Sequence, residues 1–138
     1  MPNTNKVQQR ATNLGRRIQK AIKDGVFRLD VGYASKPHPI FDPAPAGVVC
    51  QGCALAAAAF VISRQPLDMG QEGCLEIVTE AISRDDAAQL ECGYERWTHT
   101  KHDVRRRNGK LGSKRIKAKP NNAFYKLGQK LRTQRLGA

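Results

Sequence analysis

The chain has 138 residues, enough for one domain, and its 40% hydrophobic content is adequate for a modest core. It carries 24 Lys and Arg against 12 Asp and Glu, a formal net charge of +12. No apolar run approaches the roughly 18 residues that span a bilayer, and the N-terminus lacks the apolar centre of a secretory signal. The composition therefore argues against a membrane protein and predicts a cytoplasmic one with free thiols.

The charge is segregated along the chain. Residues 1–28 hold seven Lys or Arg and one Asp, residues 29–97 hold four cations and ten acids, and residues 98–138 hold thirteen cations and one Asp. Lysines scattered over a surface mainly keep a protein soluble. Two separate basic blocks instead create an electrostatic field that concentrates polyanions. The sequence therefore predicts an acidic centre with two basic arms.

Residues 5–23 are predicted to form the first helix. An apolar stripe from Val7 to Ile22 recurs at spacings of four and three, and Gly25 is placed to end the helix. The segment 30–47 contains four of the seven prolines. Because each proline removes a backbone donor and biases its predecessor toward extended geometry, this segment is predicted to be an extended connector.

Residues 48–63 are apolar on nearly every side and rich in alanine, so they are predicted to form a helix at the centre of the core. Residues 74–83 offer a second amphipathic segment. A further helix is expected to begin at Asp85 or Asp86 and to extend to Trp97. The predicted fold class is therefore mostly α, a small helical bundle around a buried Ala-rich helix.

The C-terminal region is predicted to be a basic extension. Asn108-Gly109 is a strong turn signal, and the basic segments on its two sides are expected to pair as a short β-hairpin. Residues 121–137 then have the pattern of a final helix. These elements divide the chain into a bundle with a basic N-terminal helix, residues 1–97, and a basic C-terminal arm, residues 98–138.

The four cysteines, Cys50, Cys53, Cys74 and Cys92, leave three interpretations open: a metal site, a disulfide or ordinary core residues. The spacing in "CQGC" is typical of half a zinc site. A second close pair is missing, so closure of a zinc site would need Cys92 together with a histidine of the tail. The pattern favours buried cysteines in an alanine-rich core, and no metal site is predicted.

No catalytic centre is predicted. A thiolate nucleophile needs a nearby base, and His38, His99 and His102 are expected to be surface histidines. The adjacent carboxylates Asp85 and Asp86 are better explained as helix capping residues than as an acid and base pair. A Gly-rich phosphate loop with its lysine is missing from the sequence. The chain is therefore predicted to be no enzyme, with no cofactor and no small-molecule substrate.

The unpaired charge of the tail predicts a nucleic acid as partner, DNA or RNA. Small residues between the cations let the chain lie close to a phosphate backbone, and a solvated, disordered arm is the alternative. The tail is expected to be the principal binding arm, because acids of the bundle can pair with cations of the first helix. The predicted phosphate-contacting residues are Arg105, Arg106, Arg107, Lys110, Lys114, Arg115, Lys117, Lys119, Lys126, Lys130, Arg132, Arg16, Arg17 and Lys20.

A second function is predicted from the apolar stripe of the last helix, Phe124, Leu127 and Leu131. These side chains would fill a groove on another protein, while the surrounding cations complement an acidic surface. The partner would be a host or phage protein or a ribonucleoprotein assembly, such as a polymerase or nuclease, whose activity the chain modulates, including a role against host defence.

Two segments of the sequence resemble those of known proteins. The first is the start of the predicted central helix, with Cys53, Ala54 and Leu55, and the second is a later segment with Leu90, Glu91, Gly93, Tyr94 and Glu95. Over residues 50–97 the chain resembles short uncharacterised bacteriophage proteins. The resemblance implies a phage origin and work in the cytoplasm of a bacterial host. It implies no catalytic residue, and both basic arms lie outside it.

Overall fold

A computed structural model describes residues 3–30, 50–64, 70–105 and 108–137. This part of the chain forms five helices and two two-stranded sheets. The helices are α1 (Asn3–Lys23), α2 (Ala54–Ser63), α3 (Gln71–Thr79), α4 (Arg84–Glu95) and α5 (Ala123–Gly137), and the strands are β1 (Phe27–Leu29), β2 (Cys50–Gly52), β3 (His99–Arg105) and β4 (Leu111–Lys117). The fold is therefore α/β, and the prediction of a mostly α bundle is wrong.

The first sheet accounts for much of this difference. β1 pairs with β2 in parallel, with Phe27 opposite Cys50, and the Asp30 amide donates to the Gly52 carbonyl at 2.8 Å. Residues 50–52 of the helix predicted over 48–63 therefore form a strand, and α2 begins after them. Helical periodicity cannot reveal this pairing, because each strand has three residues and its partner is distant in the sequence.

The prediction of a central Ala-rich helix is confirmed in α2. Its first six residues, 54–59, are each exposed by 1% or less, and α2 packs against α1, α3 and α4. Alanine side chains are short, so three helices can approach this axis closely. Within the described residues, no helix combines the length and apolar character that crossing a membrane requires.

α4 and α5 are in direct backbone contact. A Cβ atom on Gly93 of α4 would lie 2.1 Å from the carbonyl oxygen of Tyr125, and one on Gly128 of α5 would lie 2.4 Å from the carbonyl oxygen of Leu90. Real Cβ contacts are not this short, so the two glycines allow the helix axes to approach. α4 itself begins after Ser83, whose hydroxyl accepts from the Asp86 amide, and not after Asp85 or Asp86 as predicted.

The apolar stripe of α5 lies in the core. Phe124, Leu127 and Leu131 are 0%, 9% and 0% exposed, on a helix that packs against α4 and α1. The stripe predicted to dock on a partner therefore packs inside the chain's own fold and presents no face to another protein. The division of the chain at residue 97 stays a prediction.

The predicted hairpin is present. β3 and β4 pair antiparallel from His99 opposite Lys117 to Arg105 opposite Leu111. Gly109 in the turn adopts a φ of +79°, which glycine tolerates without steric cost. The hairpin packs on α4, with Thr100 and His102 of β3 and Ile116 of β4 buried.

Candidate nucleic-acid interface

A groove runs between the first and last helices. The apolar stripes of α1 and α5 turn inward, which leaves Arg16 of α1 and Lys126 and Lys130 of α5 exposed along the seam. Gly15 lets the helices approach, because a Cβ atom there would lie 2.9 Å from a methyl carbon of Leu127. The neutral polar side chains on the walls are Gln8, Thr12 and Gln19.

The groove continues past the start of α5. Its second stretch is lined by Lys119, Asn121 and Asn122, and it shares Lys126 with the first stretch. Gln19 and Gln134 exchange two side-chain hydrogen bonds, of 2.6 and 2.9 Å, and join α1 to α5. We refer to this surface as the basic groove, defined by its four cations Arg16, Lys119, Lys126 and Lys130.

None of the described residues that line the basic groove is acidic. The sequence explains this, since residues 1–23 and 104–138 contain no Asp or Glu at all. Lys119 forms a partly exposed ion pair with Asp85 at 3.4 Å. Among the described residues no salt bridge engages the other three cations of the groove. Their charge is therefore available to an anion from outside.

The remaining predicted cations of α1 are engaged within the chain. Lys20 pairs with Asp24 at 3.0 Å, and the Arg17 guanidinium donates to the carbonyl of Val61 in α2. The acids of the bundle take no part in these contacts. Glu72, Glu76 and Glu80 are exposed on α3, which packs against α2 and α4.

The predicted tail cations lie in several places. Arg106 and Arg107 lie outside the described residues, as does the side chain of Arg105. Lys110 and Lys114 are exposed near the hairpin turn, and Arg115 and Lys117 are exposed on β4. Arg132 differs from these, because its guanidinium donates to the Tyr94 carbonyl at 2.9 Å and so ties α5 to α4.

Two buried polar contacts fix the hairpin on α4, and the sequence predicted neither. His102, expected at the surface, is 2% exposed, and its Nε2 atom lies 2.6 Å from a carboxylate oxygen of Glu91. The Gln89 carboxamide donates to the Lys117 carbonyl at 2.8 Å and accepts from the Lys119 amide at 2.6 Å. Gln89 therefore holds the chain where β4 leads into the basic groove.

The four cysteines are reduced and buried. Burial raises the pKa of Cys53 to about 11, and burial also raises the pKa of Cys92 to about 11. Since the thiolate is the nucleophile and the metal ligand, these two groups are poor candidates for either role at neutral pH. Over the described residues, no group of three or more His, Cys, Asp or Glu side chains is arranged to hold a metal ion.

One acid lies against the seam of α4 and α5. Burial raises the pKa of Glu95, while the nearby guanidinium groups of Arg135 and Arg132 lower it. Arg135 also lies 5.0 Å from the centre of the Tyr94 ring, and the Tyr94 hydroxyl donates to the Asp30 carbonyl at 2.6 Å. These contacts hold the helices together and lie apart from the basic groove.

Comparison of the chain with protein-family models, with curated proteins and with solved structures found no match in any of the three. The resemblance to phage proteins therefore stays a prediction.

Proposed function

We propose that this protein binds nucleic acid, without catalysis, by holding the phosphate backbone in the basic groove. The observation that carries the proposal is the convergence of Arg16, from one end of the sequence, with Lys126 and Lys130, from the other, on walls that have no carboxylate. A surface of this kind has an electrostatic field that attracts polyanions.

The spacing of the cations suits consecutive phosphates. Lys126 and Lys130 are separated by about 6 Å along the helix axis, from the 1.5 Å rise per residue. Phosphates follow one another at about 3.4 Å of axial rise along a B-form strand, so the two ammonium groups reach different phosphates. Arg16 adds a guanidinium that binds phosphate with two parallel hydrogen bonds.

The neutral residues of the groove extend this chemistry. Gln8, Asn121 and Thr12 line it, and they offer hydrogen bonds to phosphate or sugar oxygens without repelling them. Contacts of this kind position a nucleic acid but do not read its sequence. We therefore propose that binding in the basic groove depends strongly on salt and weakly on sequence.

The proposal changes the expected balance between the two arms. The sequence predicted that the tail dominates and that cations of the first helix are neutralised by acids of the bundle. Arg16 has no such partner among the described residues, and it shares the groove with cations of α5. We therefore propose that both ends of the chain form the principal binding surface.

A charge-neutralising variant tests the proposal. The triple substitution Arg16→Gln, Lys126→Gln and Lys130→Gln should lower the slope of log affinity against log salt by about 2.7 units for duplex DNA, since each phosphate contact contributes about 0.9. The matched control is Lys6→Gln, Arg10→Gln and Lys23→Gln, which removes three exposed cations of α1 that do not line the groove. Equal losses of affinity in the two variants would contradict the proposal.

The docking function predicted from the α5 stripe has no support in the fold, because Phe124, Leu127 and Leu131 are buried in the core. For the cellular location, we propose the cytoplasm, of a bacterial host if the chain is of phage origin. Cys50, Cys53, Cys74 and Cys92 form no disulfide with one another, which agrees with this location because thiols stay reduced there.

A further inference from the structure

The hairpin presents a second charged surface. Thr100, His102 and Ile116 are buried on the face toward α4, and the alternation along each strand directs the intervening residues outward. We call the set His99, Lys101, Asp103, Leu111, Ser113, Arg115 and Lys117 the outer face of the hairpin. All of these residues except the half-buried His99 are exposed.

The outer face pairs like charges. The register sets two cations, Lys101 and Arg115, directly opposite each other. Like charges directly across an antiparallel pair destabilise a sheet. No salt bridge of the described residues involves any of these side chains. An arrangement that is unfavourable in the free protein becomes favourable when an external polyanion lies between the cations.

The shape of the hairpin selects among polyanions. Each strand has seven residues, so the ribbon is about 23 Å long and its strands are about 4.8 Å apart. A two-stranded ribbon fits the major groove of B-form DNA, about 12 Å wide, but not the minor groove, about 6 Å wide. The major groove of an A-form RNA helix is deep and narrow and does not admit side chains to its base edges.

The hairpin is also held rigidly enough to be inserted. Its inner face is joined to α4 by the buried contact of His102 with Glu91, and its last strand is joined to α4 by the hydrogen bonds of Gln89. These anchors engage the inner-face side chain of His102 and main-chain groups of Lys117 and Lys119, so they leave the side chains of the outer face free. A ribbon that does not have to be ordered on binding loses little conformational entropy.

We propose that the outer face of the hairpin enters the major groove of duplex DNA. This rests on the proposed function and names its substrate. Lys101 and Arg115 donate to the N7 and O6 atoms of guanine, and Asp103 accepts from the amino group of cytosine. Leu111, 74% exposed on the same face, contacts the methyl group of thymine.

The test compares two duplexes of one sequence, about 20 base pairs long, made as DNA and as RNA. The wild-type protein should bind the DNA duplex at least tenfold more tightly. In the triple variant Lys101→Gln, Arg115→Gln and Lys117→Gln, the ratio of the affinity for DNA to the affinity for RNA should fall to about one. Binding of this variant should still depend on salt. The groove variant of Arg16, Lys126 and Lys130 should lower both affinities by a similar factor and keep the preference for DNA.

The outcomes separate the two proposals. If the wild-type protein shows no salt-dependent binding to either duplex, the proposed function is overturned. Equal affinity of the wild type for the two duplexes, or an unchanged preference in the hairpin variant, would overturn the hairpin inference alone. All three hairpin substitutions are at exposed positions, and an unchanged thermal unfolding midpoint verifies that the variant is folded.

A chemical probe locates the contact independently. Methylation of the DNA duplex with dimethyl sulfate modifies guanine N7 in the major groove and adenine N3 in the minor groove. We expect guanine N7 methylation to reduce binding of the wild type and to have no effect on the hairpin variant. Interference confined to adenine N3, or no interference, would overturn the inference.

Discussion

Substitution of Gly93 by alanine should destabilise the protein, because α4 and α5 are in backbone contact there. The added Cβ atom would lie 2.1 Å from the carbonyl oxygen of Tyr125 and 3.1 Å from its Cα atom. Neither atom belongs to a movable side chain, so α5 must shift away from α4 by about 1 Å to restore van der Waals distance. That shift separates well-packed side chains along the seam, Phe124 and Leu131 among them.

The magnitude follows from two opposing effects. Overpacking of a close-packed core costs about 1–3 kcal/mol, and more where backbone must move. The gain in helix propensity from glycine to alanine offsets about 1 kcal/mol. Because the clash is with backbone, the cost should lie at the upper end of this range, so we expect the free energy of unfolding to fall by about 2 kcal/mol. A displaced α5 also moves Lys126 and Lys130, so affinity for nucleic acid should fall with stability.

The assay is equilibrium unfolding in urea, followed by far-UV circular dichroism. The matched control is Gly70→Ala, since a Cβ atom there meets nothing within 4 Å. Gly70 is the N-cap residue of α3, so its replacement by alanine should cost under about 1 kcal/mol. A Gly93→Ala protein that unfolds within about 0.5 kcal/mol of the wild type would refute the close approach of α4 and α5.

Three further predictions concern buried polar groups. Gln89→Ala removes both hydrogen bonds to the end of β4, so we expect a loss of about 1–3 kcal/mol and faster amide exchange at Lys119. Cys53 and Cys92, with pKa values raised to about 11, should react slowly with iodoacetamide at neutral pH, and a zinc chelator should leave the unfolding midpoint unchanged. Burial raises the pKa of Glu95 in the folded protein above its value in the unfolded chain. The folded protein therefore holds this proton more tightly, so the free energy of unfolding should fall as the pH rises from the pKa of the unfolded state through the pKa of the folded state. Glu95→Gln should remove that dependence.

Each of these predictions has a clear contrary result. Gln89→Ala with wild-type amide exchange at Lys119 would show that the carboxamide does not hold the end of the hairpin. Rapid alkylation of the native protein at neutral pH, or bound zinc in protein purified without added metal, would contradict the account of the cysteines. A stability profile above pH 5 that is identical in the wild type and Glu95→Gln would contradict the account of Glu95.

The elements that the sequence predicted are those whose determining residues lie close together in the chain. The stripe that contains Leu14 and Ile18 gave α1, the alanines gave the central α2, and Asn108-Gly109 gave the turn of the hairpin. In each case the residues that determine the structure lie within one or two turns of the chain. Sequence reasoning therefore identified these elements with small errors at their ends.

The features that the sequence did not reveal depend on distant contacts. β1 and β2 pair Phe27 with Cys50, and neither three-residue segment has a pattern of its own. His102 lies among cations in the sequence but is buried by Glu91 of α4. The apolar stripe of α5 was visible, but whether Leu131 packs within the chain or on a partner depends on the tertiary fold.

Only part of the candidate site could be predicted, because its assembly also depends on contacts between distant residues. The charge blocks predicted that Arg16, Lys126 and Lys130 contact phosphate, since charge is a property of composition. Their convergence in one groove requires the packing of α1 on α5, which joins residues more than one hundred positions apart, as in the bond between Gln19 and Gln134. No motif in a single sequence encodes that contact.

The most direct test of the account is the affinity of the wild-type protein for a DNA duplex, measured by fluorescence anisotropy between about 50 and 200 mM salt. If about six phosphates are neutralised, log affinity should fall linearly with log salt at a slope of about −5, a loss of about a thousandfold over this range. A midpoint that does not move with salt would contradict the claim that the basic groove holds a phosphate backbone.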